Sequence, residues 1–420
     1  MNQCPFSSIT FGIETGYWGR KFSFILLEQF EKGMGHGETF IFPNLVFKIK
    51  DGINFNLNEP NYDLFQYAIK VSCTRMNPTW SFLDNAGNEN YPPEEVNIMG
   101  CRSRIVANRN GGSISRGRGN IFPTTINLPR IALKTKGNNY EKDLKDFWKK
   151  LDIILDKTVE LSMFRYNILK NLKVKDIPFV FGEKVYYDSD DFLPNDTIEK
   201  SLKHGTIAIG FVGLTECLKE LIGTHHGESI KALELGLQIN KYIRDYCDKK
   251  CEETGLNWSC YATPAESTIN KIIKDREDFG LIVGVTEKDY YSNSFHIPVY
   301  FPISIARKLT IEGQFHRFNN GGTITYNELT DAPTYNPQGI EQMIRYAKKC
   351  DIGYYGYNFP KDECLNSDCR YSSKIEYQCP KCGNTNIRHL ARISGYLGIE
   401  DRINESKKAE IHDRLKHDQF

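Results

Sequence analysis

The sequence predicts an α/β protein, and three observations carry that reading. Continuous apolar runs recur along the chain, amphipathic segments of helical period lie between them, and composition shifts sharply near residue 350. Continuous rather than alternating apolarity suits strands covered on both faces, and strands interleaved with helices build layered or barrel α/β architectures. The run FIFPNLVFKIK at 40–50 reads as a strand closed by Asp51-Gly52, and TTINLPRIAL at 124–133 reads as a second. Further strands are expected at 177–181, 206–214 and 279–286.

Helices fill the intervals. Leu144, Phe147, Leu151, Ile154, Leu155 and Val159 repeat at helical spacing within a charged segment. A second helix is expected over 228–251, with Ile230, Leu233, Leu237 and Ile243 inward. A third carries its own start signal, with Thr263 as N-cap, Pro264 in the first turn and Glu266 closing a capping box.

The 420 residues suffice for one large catalytic unit plus an appendage, and the expected division is 1–345 and 346–420. Basic and acidic residues number 54 and 53, which argues against a nucleic-acid partner. No run of eighteen apolar residues occurs, so no membrane span is expected. The opening residues lack a basic start and an apolar signal core, which points to a cytoplasmic location. In a reducing compartment, twelve cysteines imply metal or radical chemistry rather than disulfides.

From 350 to 383 aliphatic residues are scarce, so another interaction must hold the segment. Cys364 and Cys369, then Cys379 and Cys382, form two close pairs, the second within CPKCG. Four thiolates so arranged suit tetrahedral zinc, and a closed four-cysteine site serves folding rather than catalysis. Cys247 and Cys251, four apart on the second helix, are read as helix-face cysteines near the surface. Cys73, Cys217, Cys260 and Cys350 are read as small apolar fillers. His225, His226 and His296 lack ligand spacing and are read as satisfied or solvated rather than metal-bound.

Two segments carry the chemistry. ARISGYLG, with Arg392, Gly395 and Tyr396, lies near the end of the sequence; alone it is a turn, but Arg-apolar-x-Gly-Tyr in that position resembles the signature of glycyl radical enzymes. A backbone Cα radical is delocalised over the flanking amide groups, and any Cβ would crowd it, so glycine is required. Residues 100–133, GCRSRIVANRNGGSISRGRGNIFPTTINLPRIAL, place Cys101 in a Gly- and Arg-rich loop that leads into a strand. Together with PFSSITFG, GETFIFPNLVFKIK, GLTE, ATPAES, YYSNSFHIPV and GGTITY in that order, this stretch resembles anaerobic (class III) ribonucleotide reductases over nearly the whole chain.

The resemblance implies a glycyl-radical-enzyme type α/β barrel, incomplete at its N-terminal side, ending in a zinc knuckle and a radical segment. It implies that Gly395 stores the radical and that Cys101 becomes the thiyl that attacks the ribose. It also implies that Asn120 holds ribose hydroxyls, although a turn residue before the strand would look the same. Thr263 and Ser267, at a helix start that could cradle phosphates, are candidate nucleotide contacts; ordinary capping is the alternative. Formate or a thiol would supply electrons, and neither Cys4 nor Cys73 has motif context for a second catalytic cysteine. A cluster-binding CxxxCxxC motif would need Cys at 254, which is Thr, so a separate radical-SAM activating enzyme is the expected partner. A homodimer and an N-terminal companion chain are further expectations. Two alternatives stay open: a pyruvate formate-lyase type enzyme, although no two cysteines adjoin here, and an inactive zinc-ribbon interaction module.

Overall fold

A computed structural model describes residues 6–35, 37–105, 108–137, 139–264, 269–369 and 371–420. The chain opens with three strands joined by helices: β1 (Ser8–Phe11), α1 (Tyr17–Lys32), β2 (Asn44–Ile49), α2 (Tyr62–Arg75) and β3 (Thr79–Phe82). β2 is the strand expected at 40–50. A short hairpin follows, β4 (Asn97–Met99) and β5 (Ser103–Ile105), with Cys101 at its tip.

A second parallel unit comprises β6 (Asn120–Asn127), α3 (Leu128–Leu133), α4 (Tyr140–Leu169), the short α5 (Glu199–Leu202), β7 (Thr206–Val212), α6 (Leu214–Ile222), α7 (Ile230–Thr254), β8 (Asn257–Ala262) and α8 (Ile269–Phe279). The chain then returns through α9 (Ile305–His316), β9 (Thr325–Glu328), α10 (Pro337–Lys349) and β10 (Tyr354–Asn358). The C-terminal part is built from short strands: β11 (Asp362–Cys364), β12 (Ser372–Ser373), β13 (Ile387–Arg388), β14 (Leu390–Arg392) and β15 (Leu397–Ile399), closed by α11 (Glu405–His412).

Two sheets organise the core. One has the order β1-β2-β3-β10-β9, parallel except where β10 runs against β3. The other is β6-β7-β8, wholly parallel. Gly322 bridges Ser103 of the hairpin to Tyr261 of β8, so the hairpin is tied to the second sheet. One apolar core lies between α2, α10 and the first sheet, around Phe47, Phe65 and Trp80. The other lies between β6–β8 and α3, α4 and α7, around Phe147, Phe211 and Trp258.

Several expectations change. The run at 124–133 is a strand only to Asn127, whose side chain caps α3 by accepting from the Arg130 N–H, with Pro129 in the first turn. Residues 177–181 form no strand. Pro178 removes a backbone donor, and Pro178–Gly182 is a single wide helical turn. Residues 279–286 are not a strand either. Gly280 and Gly284 sit at φ +83° and +74°, bending the chain so that Leu281 and Val283 face solvent. The helix expected over 228–251 is α7, capped by Ser229; Ile243 is buried, but Ile230 at its first turn is exposed. Cys247 and Cys251 are not near the surface; both belong to the second core. Glu266 and Ser267 lie outside the described residues, so the expected capping box falls there too. The aliphatic-poor segment after residue 350 is not all coreless, because Tyr354, Tyr355 and Tyr357 of β10 are buried inside the first sheet.

Among the described residues no helix is long and apolar enough to cross a membrane.

Candidate active site and metal centre

The β4–β5 hairpin owes its rigidity to residues at and beside its tip. The Ser8 hydroxyl accepts from the Gly100 N–H at 3.2 Å, and the Asn44 amide donates to the Gly100 carbonyl at 3.4 Å. Arg102 is fully buried and donates to the Ala262 carbonyl at 3.4 Å. Arg104, held down to about 10 by burial, donates to the Asn320 carbonyl at 3.1 Å. Gly100 is thus fixed to β1 and β2 while Arg102 and Arg104 staple the hairpin to the chain around β8, leaving Cys101 between these anchors.

Cys101 is half-buried, with its Sγ 3.9 Å from the phenol oxygen of Tyr261. The Ser103 hydroxyl donates to the same phenol at 3.3 Å, and burial pushes the phenol pKa upward. The phenol is therefore neutral and can donate a hydrogen bond toward the sulfur.

Gly395 comes to this cysteine from the opposite end of the chain. β14 and β15 form an antiparallel hairpin, and Gly395 lies in its buried turn. A Cβ built on Gly395 would overlap the carbonyl of Cys101. The two hairpin tips therefore touch through backbone, and only a residue without a side chain fits at 395.

The Gly395 turn is held from both sides. Arg392, fully buried, donates from Nε to the Tyr357 carbonyl at 2.9 Å and from Nη2 to the Met76 carbonyl at 2.5 Å. Arg414 donates to the Arg392 and Ile393 carbonyls at 2.7 and 3.1 Å, and pairs with Glu328 and Glu410, each at 3.0 Å. Burial alone would raise the Glu328 carboxyl; Arg414, Lys416 and the Asn358 amide outweigh it and hold the pKa at about 2. On the outer side the Tyr396 ring stacks on Phe6 at 5.2 Å between centroids.

Other candidate residues lie further off. Asn120 opens β6 at the level of Thr206 and Asn257, four residues before Tyr261 on β8 and so roughly 13 Å along the strand. Its buried Oδ1 has no protein partner. The Thr263 hydroxyl lies 3.0 Å from that of Thr125. The structure thus brings Gly395, Cys101 and Tyr261 together, and leaves Asn120 and Thr263 outside that contact. Tyr261 was not singled out from sequence, where its one signal is its place directly before ATPAES.

The four knuckle cysteines converge. Cys364, Cys369, Cys379 and Cys382 present sulfurs all within 4.8 Å of one another, with 3.6 Å between Cys364 and Cys382 and 3.5 Å between Cys369 and Cys379. A tetrahedron with Zn–S bonds of about 2.3 Å has edges of about 3.8 Å, so the donor set fits zinc. Side-chain amides support it: Asn384 donates to the Cys364 sulfur at 3.4 Å. This cluster shares its segment with β11 and β13, next to the strands that carry Gly395. Chelation is expected to unravel 362–388, because structural zinc supplies on the order of 10 kcal/mol to such segments. Hydrogen exchange should show that loss locally, alongside release of about one zinc per chain.

The three histidines engage backbone groups, although the buried Nδ1 of His226 has no hydrogen-bond partner among the described residues. His296 and His226 each place Nε2 2.8 Å from a carbonyl, of Ile324 and Phe295, and His225 Nδ1 accepts from the Gly227 N–H. Burial lowers His225 and His226 to about 4 and 3, so both are neutral.

Comparison with known proteins bears on this geometry. A family model described as anaerobic ribonucleoside-triphosphate reductase matches residues 2–417. The anaerobic ribonucleoside-triphosphate reductase of Escherichia coli is 33% identical over 99% of this chain and 59% of its own length. That of Enterobacteria phage T4 is 32% identical, over 99% of this chain and 68% of its own length. This chain therefore spans about three-fifths of the E. coli relative. Among solved structures, the anaerobic ribonucleotide reductase from Thermotoga maritima in complex with dATP and CTP superposes with a TM-score of 0.62 at 19% identity, covering 97% of this chain and 65% of that one. Hydroxyproline dehydratase from Clostridioides difficile superposes at 0.63 and 13% identity, over 98% and 57%. The fold is that of glycyl radical enzymes.

Proposed function

Because this chain belongs to the anaerobic ribonucleoside-triphosphate reductase family, we propose that it is the catalytic portion of an enzyme that reduces ribonucleotides, as triphosphates, to deoxyribonucleotides. The observation that carries the reading is the seating of Gly395 on Cys101. The stored radical on the Gly395 Cα takes the hydrogen of the Cys101 thiol, leaving a thiyl. The thiyl removes the ribose 3′ hydrogen, after which the 2′ hydroxyl leaves with a proton as water. A reductant, formate or a thiol, supplies the two electrons that complete the product. Tyr261, neutral and beside the sulfur, orients the thiol for transfer.

Asn120, with an unpaired buried carbonyl oxygen, is assigned to the sugar hydroxyls, which requires the bound nucleotide to reach along the second sheet. Thr263 and Ser267 are assigned to the phosphates. Zinc on the four cysteines has a structural role, bracing the unit that begins near residue 346 against the catalytic unit before it. The radical must be installed by a separate radical-SAM activating enzyme, and the relatives' extra length would be supplied by a companion chain. A homodimer of the assembled enzyme completes the reading.

Cys101→Ala separates storage from use. After anaerobic incubation with an activating enzyme, reductant and S-adenosylmethionine, the variant is expected to keep a glycine-centred EPR doublet and to form no deoxyribonucleotide. Turnover by that variant would overturn the assignment of Cys101.

A further inference from the structure

The guanidiniums buried around the two hairpins differ in how they are satisfied. Arg104 donates to two carbonyls and the Asn88 side chain, Arg392 to two carbonyls, and Arg414 to two carbonyls and two carboxylates. Arg102, fully buried, makes one long bond, from Nη1 to the Ala262 carbonyl at 3.4 Å. Among the described residues no carboxylate pairs with it, and its buried Nε and Nη2 have no hydrogen-bond partner. A buried cation left unpaired is costly, so the arrangement calls for an anion.

The two free nitrogens belong together. Nε and Nη2 form one edge of the guanidinium, whose parallel N–H bonds match the two oxygens of a carboxylate. The buried carboxylates of β9, α9 and α11 are engaged elsewhere: Glu328 and Glu410 with Arg414, and Glu312 with Lys308 at 3.4 Å and the Thr325 hydroxyl at 2.8 Å. The field on the neighbouring histidines is positive. Burial holds His296 and His316 uncharged, and the charges of Arg102, Arg104 and Lys308 add to that. The buried Tyr326 hydroxyl, on β9, has no partner among the described residues and is free to donate.

We infer that the Nε–Nη2 edge of Arg102 binds a small carboxylate, of the size of formate, beside the Cys101 hairpin. Residue 102 follows the cysteine directly, and its Nη1 reaches the end of β8. Its charge is felt by Tyr261, whose phenol lies 3.9 Å from the Cys101 sulfur. Both free nitrogens are buried, so a ligand of only a few atoms suits the place and a nucleotide phosphate does not. The inference deepens the proposed function and rests on it in one respect. Of the reductants named there it favours formate, which gives up two electrons and leaves as carbon dioxide and a proton.

The test titrates isotope-labelled formate against the 420-residue protein, without activation, and follows the formate line width by NMR. Saturable broadening is expected, reversed by unlabelled formate. Arg102→Met removes both edge and charge and should weaken binding ~10-fold or more; Arg102→Lys keeps the charge without the paired edge and should weaken it by a similar factor. Methionine replaces an unpaired buried cation, so that variant should melt no lower than the wild type in formate-free buffer, which checks that it is folded. Formate should raise the melting temperature of the wild type alone. Absence of saturable broadening with the wild type, or an affinity unchanged in Arg102→Met, overturns the inference. So does displacement of formate by an equal concentration of chloride, which would assign the edge to any small anion. A glycine-centred doublet in an activated protein that binds no formate would sink this site and leave the radical reading; formate binding by an EPR-silent protein would do the reverse.

Discussion

Gly395→Ala is expected to give no glycine-centred radical and no detectable product. Two independent causes act at one atom. An alanine Cα radical would carry a Cβ against its planar centre, and in the folded protein that Cβ would overlap the Cys101 carbonyl. The hairpin tip must then withdraw from Cys101, which breaks the contact needed for hydrogen transfer. Overpacking of this kind costs about 1–3 kcal/mol, a loss that a folded domain with intact β14 and β15 can absorb. Anaerobic EPR and product assays on the activated variant check the first cause, and hydrogen exchange at 99–103 checks the second. A doublet in the alanine variant would move the stored radical elsewhere.

Arg414→Ala is expected to lower stability by about 3–5 kcal/mol, the usual effect of removing one member of a buried ion-pair network. Glu328 and Glu410 would be left buried with their charge less compensated, and the Arg392 and Ile393 carbonyls would lose their donors. Lysine should restore little, because a single ammonium cannot reach two carboxylates and two carbonyls in the planar fork that arginine provides.

The pH dependence follows from Glu328. Its folded pKa, about 2, lies below the ordinary 4.5, so the stability it contributes is present above 4.5 and is lost as pH falls toward 2. Wild-type urea midpoints should therefore drop between roughly pH 5 and 3, and Arg414→Ala, having lost most of that contribution, should drop less. Equal acid slopes in the two proteins would show that Arg414 is not what holds the carboxyl down.

What was legible in the sequence was chemistry packed into short stretches. The four knuckle cysteines announce themselves through spacing, whereas Gly395 and Cys101 stand out through resemblance to a known family; the structure brings the sulfurs together and seats the glycine on the cysteine. Elements whose type depends on distant partners were harder to read. TTINLPRIAL reads as one strand, yet the Asn127 cap and Pro129 divide it into strand and helix. β10 is built from tyrosines, which looked coreless, but its place between β3 and β9 buries them. Tyr261 and Arg414 carry no local motif. One matters because it meets a sulfur 160 positions away, the other because it pairs with Glu328 across 86.

The Arg392 guanidinium binds the Met76 carbonyl across 316 positions of chain. Contacts of such sequence separation form only after long loops have closed, and they are the slow, late steps of folding. The turn that holds Gly395 therefore cannot assemble from local sequence; it finds its seat only when β3, β10 and the Cys101 hairpin are already in register. An unfinished or partly unfolded chain holds no glycine against a thiol, so the radical storage proposed for Gly395 would wait on completed folding.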